Sequence, residues 1–477
     1  MNKILWSSKQ LAEATSGKLE NKTEWSVEKI VIDSRAATPE TLFIPIKGER
    51  FDGHQFVAEV LEKNSAALGE NFPSAINKDA KTLRVENSFK ALEEIGVCRR
   101  NNCKARFVGV TGSVGKTSTK RILNHLLSTQ GLTYATKGNL NNHIGVPLTL
   151  ANMPEDLNYA VIEMGMNHAG EIRSLTKQAR PDVAIITAVA AAHLEFFKSI
   201  EEIADAKAEI MEGVNAGGFI VLDLDSPYYD RLAKKAVSLG INIITFGKNT
   251  AATICLLSWH ADKLGGYGQV KIADKSYEYK IGIPGLHQAR NACAAMAACF
   301  ALGINAENFI PALETLTPEE GRGVFQVFKL PDGKIISVID DSYNANPASM
   351  EAGLRLLAGY NKTDVKRRIA VLGDMKELGE NSIALHKNLA NVIAELSEID
   401  LVHTVGEHML ALNTALPEKK RGIHAKDSAS IISALETSIQ DEDLLLLKGS
   451  HSMHMELIIK NWTDALYALP PAVSAGG

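Results

Sequence analysis

The stretch "FVGVTGSVGKTSTKRIL", residues 107–123, decides how the chain is read. An apolar run, a glycine-bearing turn and then Gly-Lys-Thr before a helical pattern describe a strand, a phosphate-binding loop and a helix. Such a turn aims backbone N–H groups and the positive end of the helix dipole at one point. Lys116 adds a cation for β- and γ-phosphates, and Thr117 a hydroxyl able to ligate Mg²⁺. The strict pattern wants glycine where Val110 stands, but Gly112 and Gly115 can make the turn nearer the phosphates.

Outward from this loop the texture is α/β. "KTSTKRILNHLLSTQG" reads as a helix stopped by Gly131, and "YAVIEMG", "VAIITAV" and "GGFIVLDLD" read as strands, with "IEEIADAKAEIMEGV" helical between the last two. Strands alternating with helices imply a mostly parallel sheet covered on both faces. "GYGQVKI" and "SYEYKIGIPG" look like a hairpin, and "HQARNACAAMAACFALG" like a helix whose small side chains allow tight packing. Another α/β series runs through "KIISVIDDSYNANP", "RRIAVLGDMKEL", "DLVHTVG" and "DLLLLKGS". Before the loop, "KIVIDSR" and "TLFIPIKG" are strand-like and "FVAEVLEKNSAAL" reads as one amphipathic helix. "LPPAVSAGG" looks like a frayed end.

With 477 residues the chain exceeds the ~250–300 at which one core stops growing, so two or three domains are expected, and the textures favour three. A net charge of -5 argues against an electrostatic nucleic-acid binder. The five cysteines include no C-x-x-C pair, so buried free thiols are expected rather than disulfides or zinc. The start of the chain is too polar for a signal peptide, and no apolar run approaches the ~20 residues of a membrane span. The expectation is a cytoplasmic enzyme, taken as a monomer.

Phosphoryl chemistry needs oxygen ligands at strand ends near the loop. Glu163 closes "YAVIEMG", and His193 follows "VAIITAV"; both can reach the crevice at the strand C-termini. Lys207 is a puzzle beside a metal, and from the residues alone it reads as part of a solvated helix face.

In this order the pieces resemble the Mur ligases, ATP-dependent amide-bond ligases of peptidoglycan precursor synthesis. "TGSVGKTST", "GNLNNHIGVPLTL", "EMGMNHAGEI", "AHLEFFKSIEEIADAKAEI", "HQARNACAA", "DDSYNANPASM", "LGDMKELG" and "KGSHSMHME" carry the likeness over nearly the whole chain. "DSRAATPETLFIPIKGERFDGHQF" resembles the N-terminal type shared by the tripeptide-adding and dipeptide-adding branches; "YNANP" with "GDMKELG" points to the latter. The resemblance implies three parts. They are a small α/β domain for the UDP-sugar peptide (1–105), a central P-loop-type ATP-binding domain with a mostly parallel sheet (106–322) and a Rossmann-like α/β domain (323–477).

It also implies roles. Gly112, Ser113, Val114, Gly115, Lys116, Thr117 and Ser118 would hold the ATP phosphates, with Thr117 and Glu163 on one Mg²⁺ and His193 on a second. Lys207 matches a lysine carbamylated by CO₂, which would turn a repelled ammonium into an anion. Asn291 and Tyr343 would contact adenine, Asp340 the ribose, and Arg322 the γ-phosphate. Ser34, Arg35, Lys47, Asp52, Gly53 and His54 would face the UDP-sugar, and Asn139, Asn141 and Asn142 its peptide. The implied substrates are ATP, UDP-MurNAc-tripeptide and D-Ala-D-Ala. Other members of the superfamily (the tripeptide-adding ligase, folylpolyglutamate synthase) and a nucleotide-switch protein are the alternatives, although no guanine-reading N-K-x-D element is evident.

Two further positions depart from the family pattern. Ala188 stands where asparagine is expected, and His451 where K-G-S-R is usual. "HSMHM" supplies two histidines without a third ligand and is not read as a zinc site.

Overall fold

The computed structural model of the chain describes residues 4–21, 23–48, 51–74, 77–191, 195–262, 264–360 and 365–465. Three large sheets follow one another along it.

The first sheet has five strands in the order Lys18–Asn21, Lys81–Arg84, Ala66–Gly69, Thr41–Phe43 and Lys29–Val31. Its core gathers Trp6, Leu11, Ile30, Leu42, Leu68 and Leu83, with Ile95 of the helix Ser88–Asn102. The amphipathic helix expected over "FVAEVLEKNSAAL" is shorter. It spans Val57–Glu62 and ends where Asn64 turns left-handed at φ 59°, and Ala66–Gly69 is a strand instead. That strand is buried on both faces between parallel neighbours, so it carries no alternation to mark it in the sequence.

The central sheet has nine strands. The phosphate-loop strand Arg106–Thr111 lies between Tyr159–Glu163 on one side and Val183–Ile186 on the other, all parallel. The chain thus leaves one side of this strand for the other, which opens a crevice at the strand C-termini. The expected hairpin is present as Gly266–Ile272 against Lys275–Ile281. The alanine-rich helix Leu286–Ala301 packs directly on the sheet, with Ala289, Ala292, Ala295 and Ala298 fully buried beside Val108 and Ile185. Val110 is a strand residue in this same core, which is why a side chain suits that position.

The third sheet has six strands in the order Val324–Lys329, Ile335–Asp340, Leu444–Lys448, Arg368–Gly373, Leu401–Val405 and Arg421–Ala425. Only the first pair is antiparallel, the doubly wound arrangement anticipated for this part. Cys103, Cys255, Cys293 and Cys299 are buried free thiols and Cys98 is half-buried. No helix among the described residues is long and apolar enough to cross a membrane.

The first and central sheets are joined by helix Gly145–Ala151, which lies on Ser88–Asn102. Trp6 Nε1 donates to Ala151 O at 2.8 Å, and Asn152 exchanges hydrogen bonds with the Ile30 backbone. The helices touch at Gly96, where an added Cβ would come within 2.9 Å of Pro147 O. Gly96→Ala should therefore destabilise the chain by about 1–3 kcal/mol, checked by denaturant unfolding followed through fluorescence of the nearby Trp6 and Trp25.

Candidate active site

The loop after Arg106–Thr111 is shaped by two glycines in the left-handed half of backbone space, Gly112 at φ 155° and Gly115 at φ 85°. Each is pressed by a neighbour: a Cβ on Gly112 would meet Thr187 Oγ1 at 2.0 Å, and one on Gly115 would meet Asn291 Oδ1 at 2.5 Å. Any side chain here would push the loop off its supports. Asn291 thus stands against the loop, on the first turns of helix Leu286–Ala301.

A second segment braces the loop. Thr187 Oγ1 donates to Val114 O at 2.6 Å, Ser113 N donates to Ala188 O at 2.8 Å, and Ser113 Oγ donates to Ala190 O at 2.9 Å. At Ala188 the backbone carbonyl makes this contact, so it survives the loss of the asparagine side chain. Sequence reasoning missed Thr187; its place at the end of a strand beside the loop was the available signal.

Lys116 opens helix Lys116–Ser128 and folds back so that Nζ donates to Gly112 O at 2.7 Å. Burial lowers its pKa; Glu163 and Glu377 oppose that effect, while Arg322 adds to it. Thr117 and Ser118 follow in the first helical turn.

Glu163 is 1% exposed, in register with Val110. Its Oε1 accepts from Asn141 Nδ2 at 2.7 Å and from Thr117 Oγ1 at 3.2 Å. The buried Lys120 ammonium sits 3.0 Å from Oε2 as an ion pair, outside hydrogen-bond alignment. Burial alone would raise the carboxyl pKa, but Lys120 and Lys116 outweigh it and hold the group below its ordinary value. Lys120 was not anticipated, although its spacing of four from Lys116 puts it on the same helix face.

Lys207 lies on helix Ile200–Ala208 and is only 2% exposed, so the solvated-face reading is overturned. The helix turns this side chain toward the crevice, where burial and then the like charge of Lys116 drive its pKa well below the usual value. His193 lies outside the described residues.

The third sheet reaches the same place. The Arg322 guanidinium stacks over the Tyr343 ring at 3.9 Å, and His451 lies on that ring at a centroid distance of 5.6 Å. Glu319 lies between Arg322 at 3.5 Å and Arg121 of the phosphate-loop helix at 3.7 Å. Asp340 is buried and engaged locally: Oδ1 accepts from Ser342 Oγ at 2.5 Å and Oδ2 from Gly321 N at 3.1 Å. Glu377, held at φ 63°, acts electrostatically on Lys116, and Gly379 packs on Glu195.

The remaining predicted residues lie toward the first sheet. Asn141 joins the Glu163 cluster, whereas Asn139 is exposed and Asn142 Oδ1 accepts from Gly145 N at 2.8 Å at the start of the next helix. His54 bridges Asp52, at 2.6 Å, and Glu70, whose other oxygen accepts from Ser88 N at 2.8 Å. Burial of His54 favours its neutral form, but its hydrogen bonds to both carboxylates win and raise its pKa. Gly53 fits against Ile46, and Lys47 pairs with Asp52 through a backbone bridge. Ser34 is buried, and the exposed Arg35 binds Asp33 at 2.6 Å, which holds that carboxyl down at about 2. Glu70 was not anticipated.

Residues 110–299 match the Mur ligase middle domain, and residues 325–451 match the family described as Mur ligase, glutamate ligase domain. A Bacillus subtilis protein, UDP-N-acetylmuramoyl-tripeptide–D-alanyl-D-alanine ligase, is 35% identical over 96% of this chain and 98% of its own length. The chain belongs to the Mur ligase family. Among solved structures, MurF from Acinetobacter baumannii is similar to this Mur ligase at a TM-score of 0.85 and 31% identity, covering 96% of this chain and 99% of that one. MurF from Thermotoga maritima, solved in complex with ADP, is similar at 0.78 and 28%, covering 92% and 97%.

Thr187→Val would leave the Val114 carbonyl without its 2.6 Å donor. In this Mur ligase it should weaken ATP-analogue binding by about 5- to 10-fold, the worth of one buried hydrogen bond, checked by calorimetric titration.

Proposed function

We propose that this Mur ligase joins D-alanyl-D-alanine to UDP-MurNAc-tripeptide, consuming ATP and releasing ADP and phosphate. The observation that carries this reading is the convergence of Lys116, Thr117 and Glu163 with Arg322 from the turn just before the third sheet and Asn141 from the segment leading to the first. One crevice therefore offers a phosphate cradle, a cation from another part of the chain and a path to a separate substrate surface. The name of the Bacillus subtilis relative supplies the substrate identities.

Residues 1–105 would bind the UDP-sugar peptide, 106–322 the nucleotide, and 323–477 would close over ATP and receive the dipeptide. Ser34, Arg35, Lys47, Asp52, Gly53 and His54 would face the UDP-sugar, with Asn139, Asn141 and Asn142 near its peptide. Asn291, Asp340 and Tyr343 would surround the nucleoside. Because its substrates are soluble nucleotides and a free dipeptide, the enzyme belongs in the cytoplasm, where the product feeds cell-wall synthesis. We take the working unit as a monomer.

The donor set fits a hard divalent cation, since Glu163 Oε2 is buried without a hydrogen bond and Thr117 Oγ1 lies beside the same carboxylate. Thr117 and Glu163 would hold one Mg²⁺ and His193 a second, and these ions would neutralise phosphate charge. Lys207 suits carbamylation because CO₂ reacts with neutral amines, and burial lowers the pKa of this amine well below its usual value.

A carboxylate resists amide formation because an oxide is a poor leaving group. Lys116 and Arg322 would offset the repulsion between the triphosphate and the incoming peptide carboxylate and align the γ-phosphoryl group for transfer. The resulting acyl phosphate then has phosphate as its leaving group, and the dipeptide amine attacks the acyl carbon. Contact of the third sheet with the phosphate loop would exclude water from this intermediate.

Phosphate release should require ATP, UDP-MurNAc-tripeptide and D-Ala-D-Ala together. Turnover with glutamate, lysine or diaminopimelate as amino donor instead would assign the chain to another branch, and hydrolysis indifferent to both co-substrates would point to a nucleotide switch. Lys116→Ala should abolish ADP formation. Lys207→Ala should lose activity and partly regain it with added short carboxylic acids, followed by the same phosphate assay.

A further inference from the structure

Lys120 lies outside the roles assigned above, yet it is one of the most buried cations in the crevice. Its side chain is 5% exposed, and Nζ stands 3.0 Å from Glu163 Oε2 and donates to Gly138 O at 2.9 Å. Gly138 adopts φ 53°, and this left-handed turn sits directly before Asn139 to Asn142.

The same short segment is tied to the Glu163 strand again. Asn141 Nδ2 donates to Glu163 Oε1 at 2.7 Å, and Gly165 N donates to Asn141 O at 2.8 Å. Just beyond, Leu140 and Ile144 pack against the core of the first sheet. A continuous run of contacts therefore leads from Glu163 through Lys120 and segment 138–144 to the surface of the first sheet.

We propose that Lys120 is a positioning residue that couples cation binding at Glu163 to the fit of segment 138–142 around the acceptor peptide. Without a divalent cation, the ammonium is the counter-charge of Glu163. A divalent cation on the same carboxylate would repel it and shift its hold toward Gly138 O, changing the restraint on the segment. Linkage is reciprocal, so an acceptor that favours the shifted segment also strengthens cation and nucleotide binding. The identity of the acceptor rests on the ligase reading; the role of Lys120 toward Glu163 does not.

The test compares wild type with Lys120→Met, which removes charge and hydrogen bonding, and Lys120→Gln, which keeps a donor for Gly138 but no charge. Circular dichroism establishes which variants fold. Mn²⁺ is first titrated into the enzyme without substrates, where loss of the competing ammonium should tighten binding several-fold. UDP-MurNAc-tripeptide is then titrated with and without Mg²⁺ and a non-hydrolysable ATP analogue. Wild type should bind it about 10-fold more tightly with the nucleotide, and folded variants should show less than about 2-fold. Unaltered Mn²⁺ affinity in folded Lys120→Gln overturns the proposal. So does undiminished coupling, absence of coupling in wild type, or an equal loss of acceptor affinity in both arms. Failure of wild type to bind the acceptor in either arm counts against the ligase reading, while the Mn²⁺ titration still decides whether Lys120 competes at Glu163.

Discussion

A buried carboxylate flanked by lysines is the constraint around which this molecule is arranged. Glu163 ends a strand in the interior of the central sheet, where an unpaired charge would be costly. Lys120, Thr117 and Asn141 together make it tolerable. The partners come from two local structures: the loop helix supplies the lysine and hydroxyl, and the segment after the next strand supplies the amide. Fixing that carboxylate fixes how these elements meet.

The phosphate loop depends on a second set of restraints of a different kind. Its glycines are required because Thr187 and Asn291 occupy the space a side chain would need. Its carbonyls are held by Thr187, and Ser113 bonds the backbone of residues 188–190. These restraints come from the protein itself, which lowers the cost of ordering the loop on binding. The turn before the third sheet adds Arg322 and the loop after its strand Arg368–Gly373 adds Glu377, so the electrostatics of Lys116 depend on parts of the chain far apart in sequence.

Much of this was legible in the residues. The Gly-Lys-Thr turn, the acid ending "YAVIEMG" and the alternation of strands and helices led to the doubly wound sheets and to the placing of Thr117 beside Glu163. Legibility failed where burial on both faces removes the pattern, as at Ala66–Gly69. It failed also at Lys207, because nine residues of helix do not state which side meets a crevice. Glu70 and Thr187 act through partners more than a dozen residues away, and no local spacing announces such contacts.

The sequence by itself determined the strand–loop–helix unit, because glycine placement and periodicity are local properties of the backbone. It also determined the residue types able to hold phosphate and a hard cation. Tertiary structure alone decided which charges meet: that Lys120 sits against Glu163, that Lys207 is buried beside Lys116, and that Arg322 stacks on Tyr343. The reason is physical. A charge's state depends on its burial and its neighbours, and both are set only when distant segments pack.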